Sequence, residues 1–234
     1  MSDISAIELF QKIWNSYQKI LDHNYMLHQE IYSDAKDFIQ TNARQPLTIL
    51  DVGCGDASQS LRLFEGCDVV EYVGCDLSPF ALDLAKQNLA PLHAQVTLIQ
   101  EDIISCMQQL DRKFDVILSS YVLHHCSLAQ KQAFFELAAG LLNDQGMLIH
   151  IDLVRSDTET RTQFIENYLG YACKHWSQLA PAELQAIAKH VNAYDFPEPT
   201  ATLSALASRV GLAELKQIPR HTWHQATVFG KHPG

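Results

Sequence analysis

Six consecutive residues, Asp51-Val-Gly53-Cys54-Gly55-Asp56, combine two ingredients of a small-ligand cradle. Glycines two apart let the backbone turn sharply and approach a ligand with no Cβ in the way. A helix opening at Ser58 adds the amides of its first turn. Further groups follow at the spacing a nucleoside needs. Asp76, in Gly74-Cys75-Asp76, stands 25 residues after Asp51 and suits a carboxylate accepting from two ribose hydroxyls. Glu101-Asp102-Ile103 offers a carboxylate to an amino group on a purine edge, and Ser119-Ser120-Tyr121 faces the same crevice from the next strand. A dinucleotide fits less well. Its pyrophosphate needs G-x-G-x-x-G, the third position here is Ser58, and Asp51 and Asp56 flank the loop with negative charge. The loop favours a cationic nucleoside.

A second group of residues offers proton chemistry. His124 and His125 follow the Ser119 segment, and an imidazole with pKa near 6.5 accepts a proton at neutral pH. The plainer alternative is that one of them packs on or caps the next helix, and the two are inseparable by position. Tyr25 and His28, in Asn24-Tyr25-Met26-Leu27-His28, are candidates to line the same cleft from the N-terminal side. No metal site is expected. His124 and His125 are adjacent and poorly disposed to chelate together, His221 and His224 point to opposite faces of a strand, and no Asp-Asn cluster accompanies Asp152.

Positioning these groups requires strand ends, and the pattern supplies them. Apolar residues recur at helical spacing in two stripes, Ile7, Phe10, Trp14, Tyr17, Ile20 and then Met26, Leu27, Ile31, Ala35, Phe38, broken near His23-Asn24 and closed by Pro46. From 47 onward short apolar runs alternate with helical stretches. Strands are expected at 47–52, 69–75, 95–100, 114–119 and 146–153, with helices between them at 58–64, 78–90, 103–110 and 128–142. Ser78-Pro79 is the N-cap and first residue of one of these helices. Such alternation means a mainly parallel sheet covered on both faces. After Leu153 helices dominate to about His190; one more helix (202–210) and two strands, 212–218 and 222–229, end the pattern. Tyr168, Tyr171, Trp176 and His190 belong to the helical stretch, as core or as the lining of a substrate cap.

These residues carry a family resemblance. Ile49-Leu-Asp-Val-Gly-Cys-Gly-Asp resembles the first motif of class I S-adenosylmethionine-dependent methyltransferases, and Gly74-Cys-Asp-Leu-Ser-Pro-Phe-Ala-Leu-Asp-Leu-Ala their second-strand segment. Glu101-Asp102-Ile103 looks like their adenine-contacting segment. Phe114-Asp-Val-Ile-Leu-Ser-Ser-Tyr-Val-Leu-His-His is similar to the fourth-strand motif of their small-molecule branch, and Leu141-Leu-Asn-Asp-Gln-Gly-Met-Leu to the approach to their fifth strand. The resemblance covers about residues 47 to 154. It departs at Asp56-Ala57, where many members carry another glycine.

The resemblance implies a Rossmann-like, doubly wound, mostly parallel seven-stranded α/β sheet with an antiparallel last strand. Residues 1–45 would be an N-terminal helical cover, and 46–234 the methyltransferase domain with a helical cap insertion at about 156–195. Asp51, Gly53 and Gly55, with Cys54 between them, would hold the methionine part of S-adenosylmethionine. Asp76 would bind the ribose, Leu77 would pack on the adenine, and Asp102 with the Ile103 amide would read its edge. Ser119 would offer a backbone contact to the methionyl end, and His124, His125 or Tyr25 would serve catalysis. The expected function is in-line methyl transfer to a small molecule. Alternatives are a non-catalytic cofactor-binding regulatory module and a nucleotide-dependent oxidoreductase. The fourth strand lacks the Asn/Asp-Pro-Pro-aromatic sequence of amide and nucleobase-amine methylation.

Composition narrows the setting. The chain of 234 residues is 47% hydrophobic and 19% charged, enough for one substantial core. Its net charge of −10 and scattered basic residues disfavour a nucleic-acid partner. Six cysteines without a C-x-x-C pair point to reduced thiols and a cytoplasmic home, and neither a signal peptide nor a membrane span is expected. The oligomeric state stays open.

Overall fold

The computed structural model describes residues 16–219 and 223–231. Ile7, Phe10 and Trp14 of the expected first stripe, and His221, lie outside the described residues. A helical segment, 16–22 (α1), leads into α2 (His28–Asn42), and then strands and helices alternate. They are β1 (Leu47–Val52), α3 (Ser58–Leu63), β2 (Val69–Asp76), α4 (Pro79–Asn88), β3 (Gln95–Gln100), α5 (Ile103–Gln109) and β4 (Phe114–Ser120). After a 3-10 turn at Leu123–His125 come α6 (Leu128–Leu141), β5 (Leu142–Leu153), α7 (Arg161–His175), α8 (Pro181–Tyr194), α9 (Thr200–Arg209), β6 (Leu212–Pro219) and β7 (His224–Lys231).

The seven strands lie in the order β3-β2-β1-β4-β5-β7-β6. The first five are parallel, and β7 inserts antiparallel between β5 and β6. The fold class expected from sequence is the one observed. β1 and β4 are apolar nearly throughout because helices cover both faces of the sheet. On one face α5, α6 and α9 bury Phe134, Phe135, Met107 and Leu206 against Leu50, Ile117 and Phe229. On the other, α2, α3 and α4 bury Ile31, Ile39, Leu63 and Ala85 against Ile49, Tyr72 and Val116. Each of the buried Leu, Ile, Val, Met and Phe side chains contributes about 1.5–3 kcal/mol. Beyond the end of β5, α7 and α8 form a third cluster around Phe164, Tyr168, Trp176 and Trp223.

Helix starts follow local chemistry. Ser78 Oγ accepts from the Ala81 amide ahead of Pro79, as the Ser-Pro pair predicts. Ser127 with Gln130, and Thr160 with Gln163, form capping boxes. Strand β5 starts earlier than the apolar run, at Leu142 rather than Gly146. Its pairing with β4 is irregular between Phe114 and Val116, and Gly146 sits where a Cβ would lie 2.9 Å from the Phe114 carbonyl oxygen. The extra residues carry no apolar signal because they make an irregular, partly exposed start.

Candidate active site

A cavity of about 430 Å3 opens across the C-terminal ends of the central strands. This is where sheet order reverses between β1 and β4, the position at which open α/β sheets take ligands. Its floor is the loop after β1, its sides are the ends of β2 and β4, and Tyr17, Ile20 and Met26 cover it from the N-terminal side.

The loop is shaped by its glycines. Gly53 (φ 70°) and Gly55 (φ 55°) are both left-handed, and a Cβ on Gly53 would lie 2.6 Å from Val122 Cγ2. Ala57 is left-handed too (φ 55°), so the chain makes with alanine a turn for which glycine is the unstrained residue. The carboxylates around the loop differ in state. Asp51 is buried and accepts from the Ser60 and Tyr72 hydroxyls. Burial raises its pKa to about 6 even though those hydroxyls pull it down. Asp76 accepts from the Gly55 amide at 3.0 Å and the Ser78 amide at 2.8 Å, and burial raises its carboxyl as well. Its carboxylate therefore shapes the loop as well as facing the cavity. Asp102 is the N-cap of α5, with Oδ1 accepting from the Ile104 and Ser105 amides at 3.1 Å. Hydrogen bonds from Ser105 and these amides hold its carboxyl below the usual range. Leu77, 45% exposed, and Ile103 bring apolar surface to the same wall.

At the far end of the cavity the structure gathers residues that are distant in sequence. His124 and His125 come from the 3-10 turn, with ring centroids 3.9 Å apart; His190 comes from α8, and Asp195 from the residue that ends it. His124 Nδ1 bonds to Asp152 Oδ1, and Asp152 Oδ2 accepts from the His124 amide at 3.0 Å. Burial alone would lower the His124 pKa, but the Asp152 and Asp195 carboxylates outweigh it and raise the value. Asp152 is correspondingly held well below the carboxylate range: burial opposes this, and the His124 imidazole prevails. Burial takes His190 down to about 4, against the pull of Asp195. Three ring nitrogens converge on Asp195 Oδ1: His125 Nδ1 at 3.3 Å, His190 Nε2 at 3.6 Å and His124 Nε2 at 3.9 Å. The 195–198 segment is pinned there. Phe196 donates its amide to the His124 carbonyl at 2.6 Å, and the buried Lys131 donates to the Phe196 carbonyl.

Of the residues singled out from sequence, Asp51, Gly53, Cys54, Gly55, Asp76, Leu77, Asp102, Ile103, His124 and His125 all line this one cavity. Ser119 does not. It is fully buried within β4, and the next residue, Ser120, reaches the cavity, where its hydroxyl meets Tyr32. Tyr25 is also not among the lining residues. Its hydroxyl accepts from the Gln178 amide at 2.9 Å and its ring stacks on Trp176, so it joins the N-terminal turn to the α7–α8 connection. His28 is buried behind Tyr121, 4.7 Å between ring centroids, and burial lowers its pKa to about 3. The structure separates the two neighbouring histidines: His124 is buried and bonded to Asp152, whereas the His125 side chain is 34% exposed. Sequence reasoning missed Asp152, His190 as a partner of the pair, and Asp195.

Comparisons with known proteins agree with this geometry. Residues 49–146 match a family described as a methyltransferase domain. A ribosomal protein L11 methyltransferase from Thermosipho africanus is 34% identical over 97 residues, which is 41% of this chain and 35% of that protein. A carboxy-S-adenosyl-L-methionine synthase from Campylobacter hominis is 23% identical over 169 residues, 71% of this chain and 70% of that protein. The chain thus spans about a third of the first of these relatives. Among solved structures, magnesium protoporphyrin IX methyltransferase from Synechocystis, with bound S-adenosylhomocysteine, superposes with a TM-score of 0.63 at 17% identity, covering 88% of this chain and 84% of that one. An O-methyltransferase family protein from Burkholderia thailandensis gives a TM-score of 0.65 at 17% identity, covering 91% and 58%. The sequence match to the methyltransferase-domain family thus runs from β1 into the start of β5, and the likeness to the solved methyltransferase structures is one of fold.

Proposed function

We propose that this protein is an enzyme that transfers a methyl group from S-adenosylmethionine to a small molecule. One observation carries the reading: a single cavity joins a glycine-and-carboxylate cradle to a buried histidine–aspartate cluster. When bound, the cofactor supplies a methyl carbon already activated by its sulfonium. The chain then has to hold and align the two reactants and dispose of a proton.

The residues present suit that cofactor. Gly55, with open space where a Cβ would stand, leaves the close approach that its methionine part requires, Gly53 lets Val122 pack against the loop, and Asp51 supplies negative charge for the ammonium. Asp76 takes the ribose hydroxyls, Leu77 and Ile103 sandwich the adenine, and Asp102 with the Ile103 amide reads its edge. In the family's pattern the backbone of Ser119 also contacts the methionyl end, with Ser120 the side chain at the cavity wall. The acceptor occupies the space between the cradle and His124–His125, under the helical cap of α7 and α8. His125, the more exposed of the pair, is the better proton acceptor, since His124 is already engaged by Asp152. Tyr25 supports the N-terminal cover that closes over the cofactor.

The scattered basic residues and the net charge of −10 favour a small-molecule acceptor over nucleic acid. Among the described residues no helix is long and apolar enough to cross a membrane. The six cysteines are free, which supports a reducing, cytoplasmic setting. Calorimetry with S-adenosylhomocysteine and with NAD tests the cofactor: the first binds and the second does not, and the reverse result refutes the reading. Release of S-adenosylhomocysteine across a panel of hydroxyl, thiol and amine acceptors then identifies the acceptor class and separates an enzyme from a regulatory module.

A further inference from the structure

Asp195 presents a problem in elementary electrostatics. Its side chain is 3% exposed, yet Oδ1 has no hydrogen-bond partner. Leaving a buried carboxylate oxygen unpaired is costly. The three imidazole nitrogens that surround it stand off at 3.3, 3.6 and 3.9 Å instead of closing to a hydrogen bond. One ring nitrogen each from His124 and His125, together with an Asp195 oxygen, lie within 4.8 Å of one another. Adjacent histidines do not chelate together in a helix or strand. Here the 3-10 turn and the tilt of 54° between the rings bring both nitrogens to one side.

We propose that His124, His125 and Asp195 form a binding site for one divalent transition-metal ion of the zinc class. Donor atoms bound tetrahedrally at about 2.0–2.1 Å stand about 3.3–3.4 Å apart, against 3.3 and 3.9 Å from Asp195 Oδ1 to the two imidazoles and no more than 4.8 Å between any two of the three donors. Imidazole nitrogens select such a metal over magnesium or calcium, which take oxygen ligands. The supporting shell is also in place. Asp152 holds His124 Nδ1, which leaves Nε2 as the free donor, the carboxylate–histidine arrangement found behind metal ligands. His190 Nε2 stands 3.6 Å from the same Asp195 oxygen, and the Phe196 amide bond to the His124 carbonyl locks two of the ligand-bearing segments together. Three protein donors leave a fourth position facing the cavity, as in catalytic rather than structural sites.

The use of that fourth position rests on the methyltransferase reading. An acceptor hydroxyl coordinated there loses its proton to solvent more readily. Its oxygen lone pair then forms the bond to the methyl carbon while the carbon–sulfur pair stays on sulfur. The metal is neither oxidised nor reduced; in the metal-loaded chain His125 is a ligand and the proton goes to solvent, which replaces the proton-accepting role that His125 has in the metal-free chain.

The test uses the full chain, stripped with a chelator and titrated with Zn2+ by calorimetry and with Co2+ by visible absorption. One ion per chain is expected, with Mg2+ failing to compete. Asp195→Asn and His125→Ala should each weaken Zn2+ binding on the order of 1,000-fold, beyond the roughly 10–100-fold typical of losing an outer-shell partner. His175→Ala, at an exposed histidine outside the cluster, should leave it unchanged. Circular dichroism establishes that each variant is folded; His125, being partly exposed, is the safer of the two. Absence of stoichiometric Zn2+ binding to the folded wild-type chain overturns the proposal, and so does binding that survives the folded His125→Ala variant. S-adenosylhomocysteine affinity of the stripped chain reports on the methyltransferase reading alone: if it fails while Zn2+ binds, only that reading falls.

Discussion

The two ends of the cavity are built on opposite plans. The cradle is local: Asp51 to Asp56 runs unbroken from the end of β1 into its loop, Asp76 ends the neighbouring strand β2, and Asp102 follows β3, one strand further out. Backbone geometry dominates there, and each carboxylate also ties down the loop or helix it sits on. The histidine end is assembled from afar: two residues after β4, Asp152 within β5, His190 within α8 and Asp195 just past it. Side-chain electrostatics dominate, with buried imidazoles and carboxylates setting one another's charge. A cofactor shared by many enzymes suits the first plan, and an acceptor particular to one enzyme suits the second.

Substitutions sharpen this contrast, starting where the backbone is least forgiving. Gly53→Ala combines a left-handed backbone with a Cβ 2.6 Å from Val122, and should cost about 2–4 kcal/mol of stability in urea unfolding. Adding Val122→Ala should return part of that loss; no recovery would mean that strain, not the contact, governs the loop. Next, Asp76→Ala should weaken S-adenosylhomocysteine binding by about 1–3 kcal/mol, the scale of a charge-assisted hydrogen bond. Unchanged affinity in a folded variant refutes the ribose assignment.

Asp51 supplies a pH test. With its carboxyl raised to about 6, it loses as pH falls below that value the charge that the proposed reading sets against the cofactor's ammonium. Binding of S-adenosylhomocysteine should weaken about tenfold from pH 7 to pH 5, close to 1.4 kcal/mol. Asp51→Asn should bind weakly with a flat profile over the same range; a sloping profile would point to another group.

The smallest effect concerns His28. Its folded pKa of about 3 lies below the unfolded value of 6.5, so the unfolded chain takes up the proton first. Its contribution is constant above about pH 6.5 and turns against folding as pH falls toward 3. Asp51, whose folded pKa is raised, works the other way between about 4 and 6, so the comparison is between two chains. Relative to His28→Phe, the wild type should lose about 1.4 kcal/mol more between pH 7.5 and 5.5. Equal slopes would show that the imidazole meets water in the native state.

The same contrast explains what was legible in the sequence. Strand–helix alternation and the Gly53-x-Gly55 loop are local signals, so the sheet, its C-terminal crevice and the cradle could be read directly. Ser119 and Ser120 differ by one residue, but side chains alternate across a strand, and that step separates the interior of β4 from the cavity wall. Tyr25 lay near the cleft in outline, yet its stacking on Trp176 depends on where α7 ends, which no local pattern encodes. Asp195 was invisible for the same reason: alone, an aspartate after a helix reads as solvated, and only the return of α8 to the β4 turn buries it among histidines.

The contact between Gly53 and Val122 also bears on how such a protein can change over generations. One residue sits in the cradle, and the other stands two positions before the first residue of the histidine cluster. Drift at either position is judged at both, so a lineage that enlarges residue 122 must answer to the loop after β1. The two positions are inherited as one character.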